Sequence, residues 1–246
     1  MIRSIISKLI RNIHERGYNP YIRNFRFDNL ELRFFIATKQ AESWYDPISL
    51  WTQIEFQWIQ RNLDLNDQII LDAGSHHGLY STFFGVAGSG KNRVISIDPI
   101  EMNIDLTEVN MLLNGLEPCL QRCAVGPDPG HTYFDNLSNS MMSGGSGIRV
   151  AVKPLPDIQP DATLVKLDIE GSEFSLFPEQ LDGMPWVNTW IIEVHTRHGD
   201  PGPLMDYFRE REFQLYWLNK SARKIEQAQP SLQISEHHTT IIARKT

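Results

Sequence analysis

Short continuous apolar runs alternate with segments of helical periodicity between residues 68 and 195, and this alternation limits the possible folds most strongly. Apolar runs that end in turns are typical of buried parallel strands. The predicted strands cover residues 68–74, 93–98, 119–125, 163–168 and 189–195. The predicted helices cover residues 78–87, 101–114, 172–181 and 203–210. The pattern predicts an α/β fold with a doubly wound, mostly parallel sheet and helices on both faces.

The last two predicted strands, at residues 213–218 and 239–244, are connected in a different way. The segment between them is polar, contains Pro230 and has no amphipathic helical period. We therefore expect an antiparallel final strand pair at one end of the sheet.

An N-terminal extension, residues 1–65, precedes the predicted core domain, residues 66–246. Within it, residues 21–38 indicate two strands with a turn at Asp28–Asn29, and residues 44–63 indicate a helix. Residues 1–17 have apolar residues at helical spacing with basic residues between them. This segment is either a basic amphipathic helix that touches a membrane or partner, or a helix that packs on the domain or covers the active site.

Charge and cysteine content exclude some classes of protein. The 246 residues include 23 Lys and Arg against 30 Asp and Glu, a net charge of −7, which argues against broad contact with nucleic-acid phosphates. Cys119 and Cys123 fall in one predicted strand, without the spacing of a metal site or a disulfide framework. Because there is no signal-peptide pattern and no run of about 20 apolar residues, we expect a cytoplasmic protein without a transmembrane segment.

A glycine loop with the sequence DAGSHHG, from Asp72 to Gly78, follows the first core strand and opens the next helix. Gly74 permits a tight turn, and Gly78 leaves the start of the helix free to approach a ligand. The loop lacks the G-x-G-x-x-G pattern that holds a pyrophosphate, so a ligand with a carboxylate and an amine near the loop fits better. A purely structural turn is the alternative.

Asp98 ends the next predicted strand and is followed by Pro99. An acidic residue at this place in a doubly wound sheet can accept hydrogen bonds from both ribose hydroxyls of an adenosine. The alternative is a strand-end residue that caps the following helix.

Carboxylates and a histidine follow the next two core strands. Asp168 and Glu170 leave one strand, and Glu193 and His195 leave the next. Each pair points the same way if the backbone stays extended, and both pairs lie at the edge of the sheet where open α/β folds bind ligands. Burying these groups is costly without a purpose, although a structural ion cluster with Lys166 is the alternative.

The motifs together resemble the FkbM family of methyltransferases. The sequence contains DAGSHHGLYS, IDP, KLDIEGSE and EVH, in the family's order, from residue 68 to residue 195. It departs from the family at Ser75 and His76, where Ala and Asn are usual, and at Asp98, where Glu is more common. The N-terminal 60 residues and the last 50 do not match diagnostically and are expected to shape substrate choice.

The resemblance implies a Rossmann-like class I fold, with which the antiparallel final pair agrees, and methyl transfer from S-adenosylmethionine (SAM). The acceptor would be a hydroxyl of a small molecule such as a sugar, a polyketide or another secondary metabolite. The residues expected to bind the cofactor are Asp72, Gly74, Ser75, His76, Gly78, Asp98 and Ala124. An amine or peptide acceptor is the alternative within methyltransferases. A nicotinamide oxidoreductase and a non-catalytic binding protein are the rivals outside them.

The catalytic residues implied are His195, Asp168, Glu170 and Glu193. We expect His195 to be the general base, because its usual pKa lies nearest physiological pH, and Glu193 to orient it or bind the cofactor amine. Asp168 and Glu170 would hold the acceptor, or a divalent cation such as Mg²⁺ that acidifies the acceptor hydroxyl. The Gly-, Ser- and Asn-rich segment at residues 136–147 is expected to be a mobile lid beside the acceptor.

Overall fold

The computed structural model describes residues 17–135, 140–142 and 147–245. Residues 1–16, which carry the predicted amphipathic helix, and most of the predicted lid at residues 136–147 lie outside the described residues. Among the described residues, no helix has the length and apolar character to cross a membrane.

The N-terminal extension begins with a β-hairpin and continues as two helices. The strands are β1 (Tyr21–Phe27) and β2 (Leu30–Ile36), joined at Asp28 as predicted. The helices are α1 (Lys39–Tyr45) and α2 (Leu50–Asn62). The prediction of one helix over residues 44–63 was wrong, because Pro47 has no N–H to donate and holds Asp46 in an extended conformation.

Within the described residues, the central sheet has eight strands, and the five consecutive strands at one side of it are parallel. Its parallel strands are β3 (Ile69–Ala73), β4 (Arg93–Ile97), β5 (Cys119–Gln121), β10 (Leu164–Leu167) and β11 (Thr189–His195). Across the sheet they follow the order β11, β10, β3, β4, β5. The predicted α/β class and mostly parallel sheet are confirmed.

The helices that connect these strands mostly begin and end near their predicted bounds. They include α3 (Leu79–Ala87), α4 (Glu101–Leu113) and α7 (Pro201–Glu210). The single helix predicted at residues 172–181 is instead a 3₁₀ helix, Ser172–Leu176, followed by the short α6 (Glu179–Asp182). Pro178 separates the two, since proline disfavours a helical conformation at the residue before it.

The last strands give the expected antiparallel arrangement. They are β12 (Gln214–Asn219), β13 (Lys224–Gln227) and β14 (His238–Arg244). The final strand, β14, lies between β11 and β12 and is antiparallel to both. The sequence did not predict β13, which forms an antiparallel pair with β12.

Along the chain, the residues between β5 and β10 form a second sheet, of which four strands are described. It contains β6 (Ala124–Val125), β7 (Gly130–Asp135), β8 (Ser140–Met142) and β9 (Ile148–Lys153), and the short helix α5 (Leu155–Ile158) follows. The single strand predicted at residues 119–125 was wrong, because β5 pairs with β4 whereas β6 leaves the central sheet to pair with β9. Cys123 therefore lies between two strands of different sheets.

The N-terminal extension covers one face of the central sheet. Neighbouring residues of the same strands, such as Ile70 and Leu71, belong to different hydrophobic clusters, as the alternation of side chains requires. The cluster that contains Ile70 also includes Phe56 of α2 and Phe83 of α3, whose rings stack with centroids 3.8 Å apart. The extension therefore completes the core, and the domain boundary at residue 65 stays a prediction.

We predict that Phe56→Ala lowers the free energy of unfolding by about 3–5 kcal/mol, because it removes a fully buried ring from this contact. Leu50→Ala is the matched control on the same helix, since Leu50 is 46% exposed, and it should change stability by less than about 0.5 kcal/mol. Urea unfolding of both variants measures the difference. Equal losses would show that α2 is not anchored through Phe56.

Candidate active site

A cavity of about 510 Å³ opens where the parallel strands of the central sheet end. Eight of the residues predicted for the site line it: Gly74, Ser75, His76, Asp98, Ala124, Asp168, Glu170 and Glu193. The other three, Asp72, Gly78 and His195, are not among the lining residues, although His195 lies next to the lining residues Asp168 and Glu170. Trp44, Trp51 and Glu55 of the N-terminal extension also line the cavity.

The glycine loop is packed between the ends of β4 and β10. The backbone N–H groups of Gly74 and Ser75 donate to the carbonyl oxygen of Ile97, at 2.9 and 3.0 Å. Gly74 has a φ of +79°, and a Cβ placed on it would lie 1.8 Å from the carbonyl oxygen of Asp168. Only glycine fits here, and the loop is thereby held against the backbone of Asp168, directly after β10.

Gly78 and Asp72, at the two ends of the loop, make close contacts with neighbouring helices. A Cβ on Gly78 would lie 2.7 Å from Cγ2 of Thr107, so this glycine allows α3 and α4 to pack closely. Asp72 is fully buried, and its Oδ2 accepts a hydrogen bond of 2.5 Å from the Ser81 hydroxyl. Burial raises the pKa of Asp72.

Two departures from the family pattern, Ser75 and His76, lie in the glycine loop. His76 has a φ of +50°, a left-handed conformation that Asn and His adopt more readily than most residues. The backbone at this position therefore suits either Asn or His. The His76 ring forms a hydrogen bond through Nδ1 with the Tyr45 hydroxyl and stacks on the ring of His77. The buried Ser75 hydroxyl lines the cavity and has no hydrogen-bond partner among the described residues.

Asp98 is buried at the end of β4 and is held by three donors. Its Oδ2 accepts from the His76 N–H at 3.0 Å, and its Oδ1 accepts from the Ile100 N–H at 2.9 Å and from Asn103 Nδ2 at 3.0 Å. Burial is the main reason that the pKa of Asp98 rises to about 6. Since a carboxylate offers about four lone-pair sites, this group can still accept from a ligand.

Lys166 provides a buried positive charge among several carboxyl groups. Its Nζ lies 3.2 Å from Oδ2 of Asp168 and 4.6 Å from the centre of the Tyr80 ring. Burial alone would lower the pKa of Lys166, but Asp168, Asp72 and Glu193 raise it. Burial would likewise raise the pKa of Asp168, yet Lys166 and His195 hold it below its usual value. The charge of Asp168, together with burial, raises the pKa of Glu193.

His195 is paired with a carboxyl group that the sequence argument left without a role. Its Nδ1 lies 2.9 Å from Oε1 of Glu173, which also accepts from the His195 backbone N–H at 2.8 Å. Glu173 is fully buried, and its other oxygen accepts from the Gly171 N–H at 2.7 Å. The orienting contact that we predicted for Glu193 is therefore made by Glu173. Glu173 is the last acidic residue of the KLDIEGSE motif, so the motif itself was the available clue.

The tautomer of His195 follows from this contact. A carboxylate can only accept, so Nδ1 carries the hydrogen and Nε2 keeps its lone pair, 3.7 Å from Oε2 of Glu170. Burial alone would lower the pKa of His195, but Glu173 and the nearby carboxylates raise it. The pair has the arrangement of a base held by a buried acid.

Glu170 does not continue the strand that carries Asp168. β10 ends at Leu167, and Glu170 has a φ of +55°, so the expected extended conformation does not persist. One ligand atom each from Asp168, Glu170 and His195 nevertheless lie within 4.8 Å of one another, which would suit a cation. Lys166 beside Asp168 opposes such binding electrostatically.

Glu55 is a buried cavity residue that sequence reasoning missed. Its carboxyl accepts from the Thr240 hydroxyl at 2.6 Å and from the Tyr80 hydroxyl. Thr240 belongs to β14, so the two terminal segments of the chain meet at the cavity. A single Glu on an amphipathic helix normally faces solvent, and nothing in its spacing distinguishes Glu55.

The family can now be stated. The family model described as the methyltransferase FkbM domain matches residues 72–215, more than half of the chain. The chain therefore belongs to the FkbM methyltransferase domain family, which confirms the resemblance of its motifs, and it is a SAM-dependent methyltransferase by family and fold. No curated protein sequence matches it.

Two solved structures show the same fold. A SAM-dependent methyltransferase from Agrobacterium tumefaciens has a TM-score of 0.55 at 11% identity, and the match covers 94% of this chain and 71% of that one. A T. thermophilus 16S rRNA N2 G1207 methyltransferase, in complex with AdoMet and guanosine, has a TM-score of 0.53 at 9% identity, covering 94% and 52%. These likenesses show a Rossmann-like class I methyltransferase fold.

We predict that Gly74→Ala lowers stability more than Gly90→Ala and weakens binding of S-adenosylhomocysteine (SAH) by at least about 10-fold. Both glycines have positive φ, where any other residue costs about 1–2 kcal/mol. A Cβ on Gly90 meets nothing within 4 Å, whereas one on Gly74 overlaps the Asp168 carbonyl and adds about 1–3 kcal/mol or more. Urea unfolding and calorimetry test this, and equal behaviour of the two variants would contradict the close packing at Gly74.

Proposed function

We propose that this protein transfers a methyl group from SAM to a hydroxyl oxygen of a small polar molecule, such as a sugar, a polyketide or a related metabolite. The observation that carries the proposal is the buried His195–Glu173 pair beside the cavity-lining Asp168. A neutral hydroxyl needs help to lose its proton, and a histidine held by a buried acid is suited to take it.

The residues of the cavity fit the cofactor. The buried Ser75 hydroxyl has no hydrogen-bond partner in the described part of the chain and can bond a polar group of a ligand at the glycine loop. Asp98 can accept a hydrogen bond from the ribose, and Ala124 adds a small apolar side chain to the same cavity wall. A volume of about 510 Å³ lies in the range of small-molecule sites. When bound, SAM would supply a reactive methyl group on a sulfonium. An oxygen nucleophile bonds to the methyl carbon, and the sulfur leaves as the thioether of SAH.

Residues on and after β10 and β11 bind the acceptor and remove its proton. His195 accepts the hydroxyl proton at Nε2, and Glu173 stabilises the imidazolium that results. Asp168, kept ionised by Lys166, and Glu170 hold the acceptor. Glu193 has a raised pKa and donates a hydrogen bond in its protonated form, to the acceptor or to Asp168.

The acceptor is a small molecule and not a nucleic acid in this proposal. The net charge of −7 opposes binding to a phosphate backbone, and the cavity walls combine carboxyl groups with the aromatic rings of Trp44, Trp51 and Phe134. The free thiols of Cys119 and Cys123 agree with action in the cytoplasm.

Incubation with methyl-labelled SAM and separate panels of hydroxylated metabolites, amines and peptides, and RNA tests the function. We expect label only on oxygen of a member of the first panel. Transfer to nitrogen would favour the amine alternative, and transfer to RNA would overturn the small-molecule assignment.

We predict that SAH affinity falls as pH drops through about 6, because protonation removes the charge with which Asp98 accepts a hydrogen bond from the ribose. A hydrogen bond to a charged group is worth roughly 1.5–3 kcal/mol. Asp98→Asn should bind weakly at pH 8 and lose this pH dependence, while the exposed Asp157→Asn keeps parental behaviour. Calorimetry from pH 5 to 8 measures both properties, and unchanged affinity in folded Asp98→Asn would remove Asp98 from the site.

We predict that His195→Ala lowers turnover by about 10²–10⁴ and nearly preserves SAH affinity. Parental activity should rise with pH through an ionisation above the usual histidine value of about 6.5, because imidazolium cannot accept a proton and the pKa of His195 is raised. Glu173→Gln should move this midpoint to lower pH, since it removes the charge that raises the pKa. The exposed His131→Ala is the control.

A divalent cation at Asp168 and Glu170 would give the opposite pattern. A chelator would then abolish activity, Mg²⁺ would restore it, and Asp168→Asn would be more damaging than His195→Ala. Full activity in His195→Ala together with indifference to chelator would defeat both mechanisms.

A further inference from the structure

Trp44 is a large apolar side chain that remains accessible at the cavity. It is 42% exposed and lines the cavity beside Ser75 and His76. Single exposed apolar residues are common on protein surfaces, and Trp186, 68% exposed and not part of the cavity wall, is an example in this chain. The position of Trp44 in the wall makes its exposure informative.

The Trp44 ring is fixed in place before any ligand arrives. The rings of Trp44 and His76 meet edge to face, with centroids 4.7 Å apart at 69°. The next residue, Tyr45, anchors α1 by a hydroxyl contact to His76 and by packing on Phe34, with centroids 4.9 Å apart. The Thr38 hydroxyl caps the start of α1 by accepting from the Ala41 N–H at 3.0 Å. A ring held in this way loses little conformational entropy when it binds.

Trp44 is connected to the predicted ribose site through one residue. The His76 ring contacts Trp44, and the His76 backbone N–H donates to Oδ2 of Asp98 at 3.0 Å. Burial lowers the pKa of His76 to about 4, so the imidazole between them is neutral near pH 7 and does not repel a cationic ligand. Trp44, His76 and Asp98 thus form a continuous wall with an aromatic face at its outer end.

We propose that Trp44 is a binding residue for the adenosine part of SAM, and that α1 is the outer wall of the cofactor site. The inference rests on the proposed use of SAM but concerns a segment outside the matched FkbM domain, which begins at residue 72. An indole offers a flat apolar surface on which a nucleoside can stack. The N-terminal extension then contributes to cofactor binding and not only to the core.

Calorimetry with SAH on the full chain tests the proposal. Trp44→Leu should raise the dissociation constant roughly 5- to 100-fold, the range expected for loss of one stacking contact. Trp44→Phe should retain most of the affinity, because an aromatic face remains. Trp186→Leu, the matched control at an exposed tryptophan outside the cavity, should bind as the parent does.

Two further measurements separate contact with the ligand from a structural effect. SAH should change the tryptophan fluorescence of the parent, and Trp44→Phe, while it still binds, should lose more of this change than Trp51→Phe, which removes the other tryptophan of the cavity wall. The probe 5′-methylthioadenosine keeps the adenosine and lacks the amino acid, so Trp44→Leu should weaken it by a similar factor.

Three other results of these binding measurements would contradict the proposed role of Trp44. Parental SAH affinity in Trp44→Leu overturns the inference and leaves the proposed function standing. A loss with SAH that is absent with 5′-methylthioadenosine moves Trp44 to the amino-acid end and overturns the adenosine assignment. A parent protein that does not bind SAH removes the proposed use of SAM, and the inference with it.

Discussion

The ion pair between Lys166 and Asp168 makes the acidic end of the cavity compatible with a stable fold. Lys166 is 4% exposed, and an isolated ammonium in such a place would lose its proton. Asp168 at 3.2 Å prevents this, with support from Asp72 and Glu193. In return, Lys166 keeps Asp168 ionised while Asp72, Glu193 and Glu55 all have raised pKa values. One cation therefore keeps Asp168 ionised, whereas burial, and for Glu193 chiefly the charge of Asp168, raises the pKa values of the other three acids.

The sequence contained enough information to locate the core strands and the edge where the site lies. Strands β3, β4, β10 and β11 are short apolar runs, and their order along the chain places Asp98, Asp168 and Glu193 at one edge of the sheet. Long-range pairing was harder to predict. The split between β5 and β6 depends on partners in two different sheets, and local periodicity does not encode that choice.

The sequence analysis missed site residues whose partners lie far away along the chain. Glu55 and Thr240 are 185 positions apart and meet only because α2 and β14 cover the same cavity. Glu173 lies inside a recognised motif, but only the folded backbone brings its carboxyl to His195. The matched domain, residues 72–215, excludes Trp44, Glu55 and Thr240. The segments that flank the shared domain therefore contribute lining residues to the cavity.

The position of β14 has a consequence for how the molecule is made. This strand, residues 238–244, fills the gap between β11 and β12, whose residues are synthesised earlier. Until it arrives, β11 and β12 each present an unpaired edge, and such edges are prone to pair with other chains. The cavity wall formed by Thr239 and Thr240 is equally late. A ribosome-bound nascent chain would therefore hold the family's sequence motifs before it had the strand that encloses the pocket.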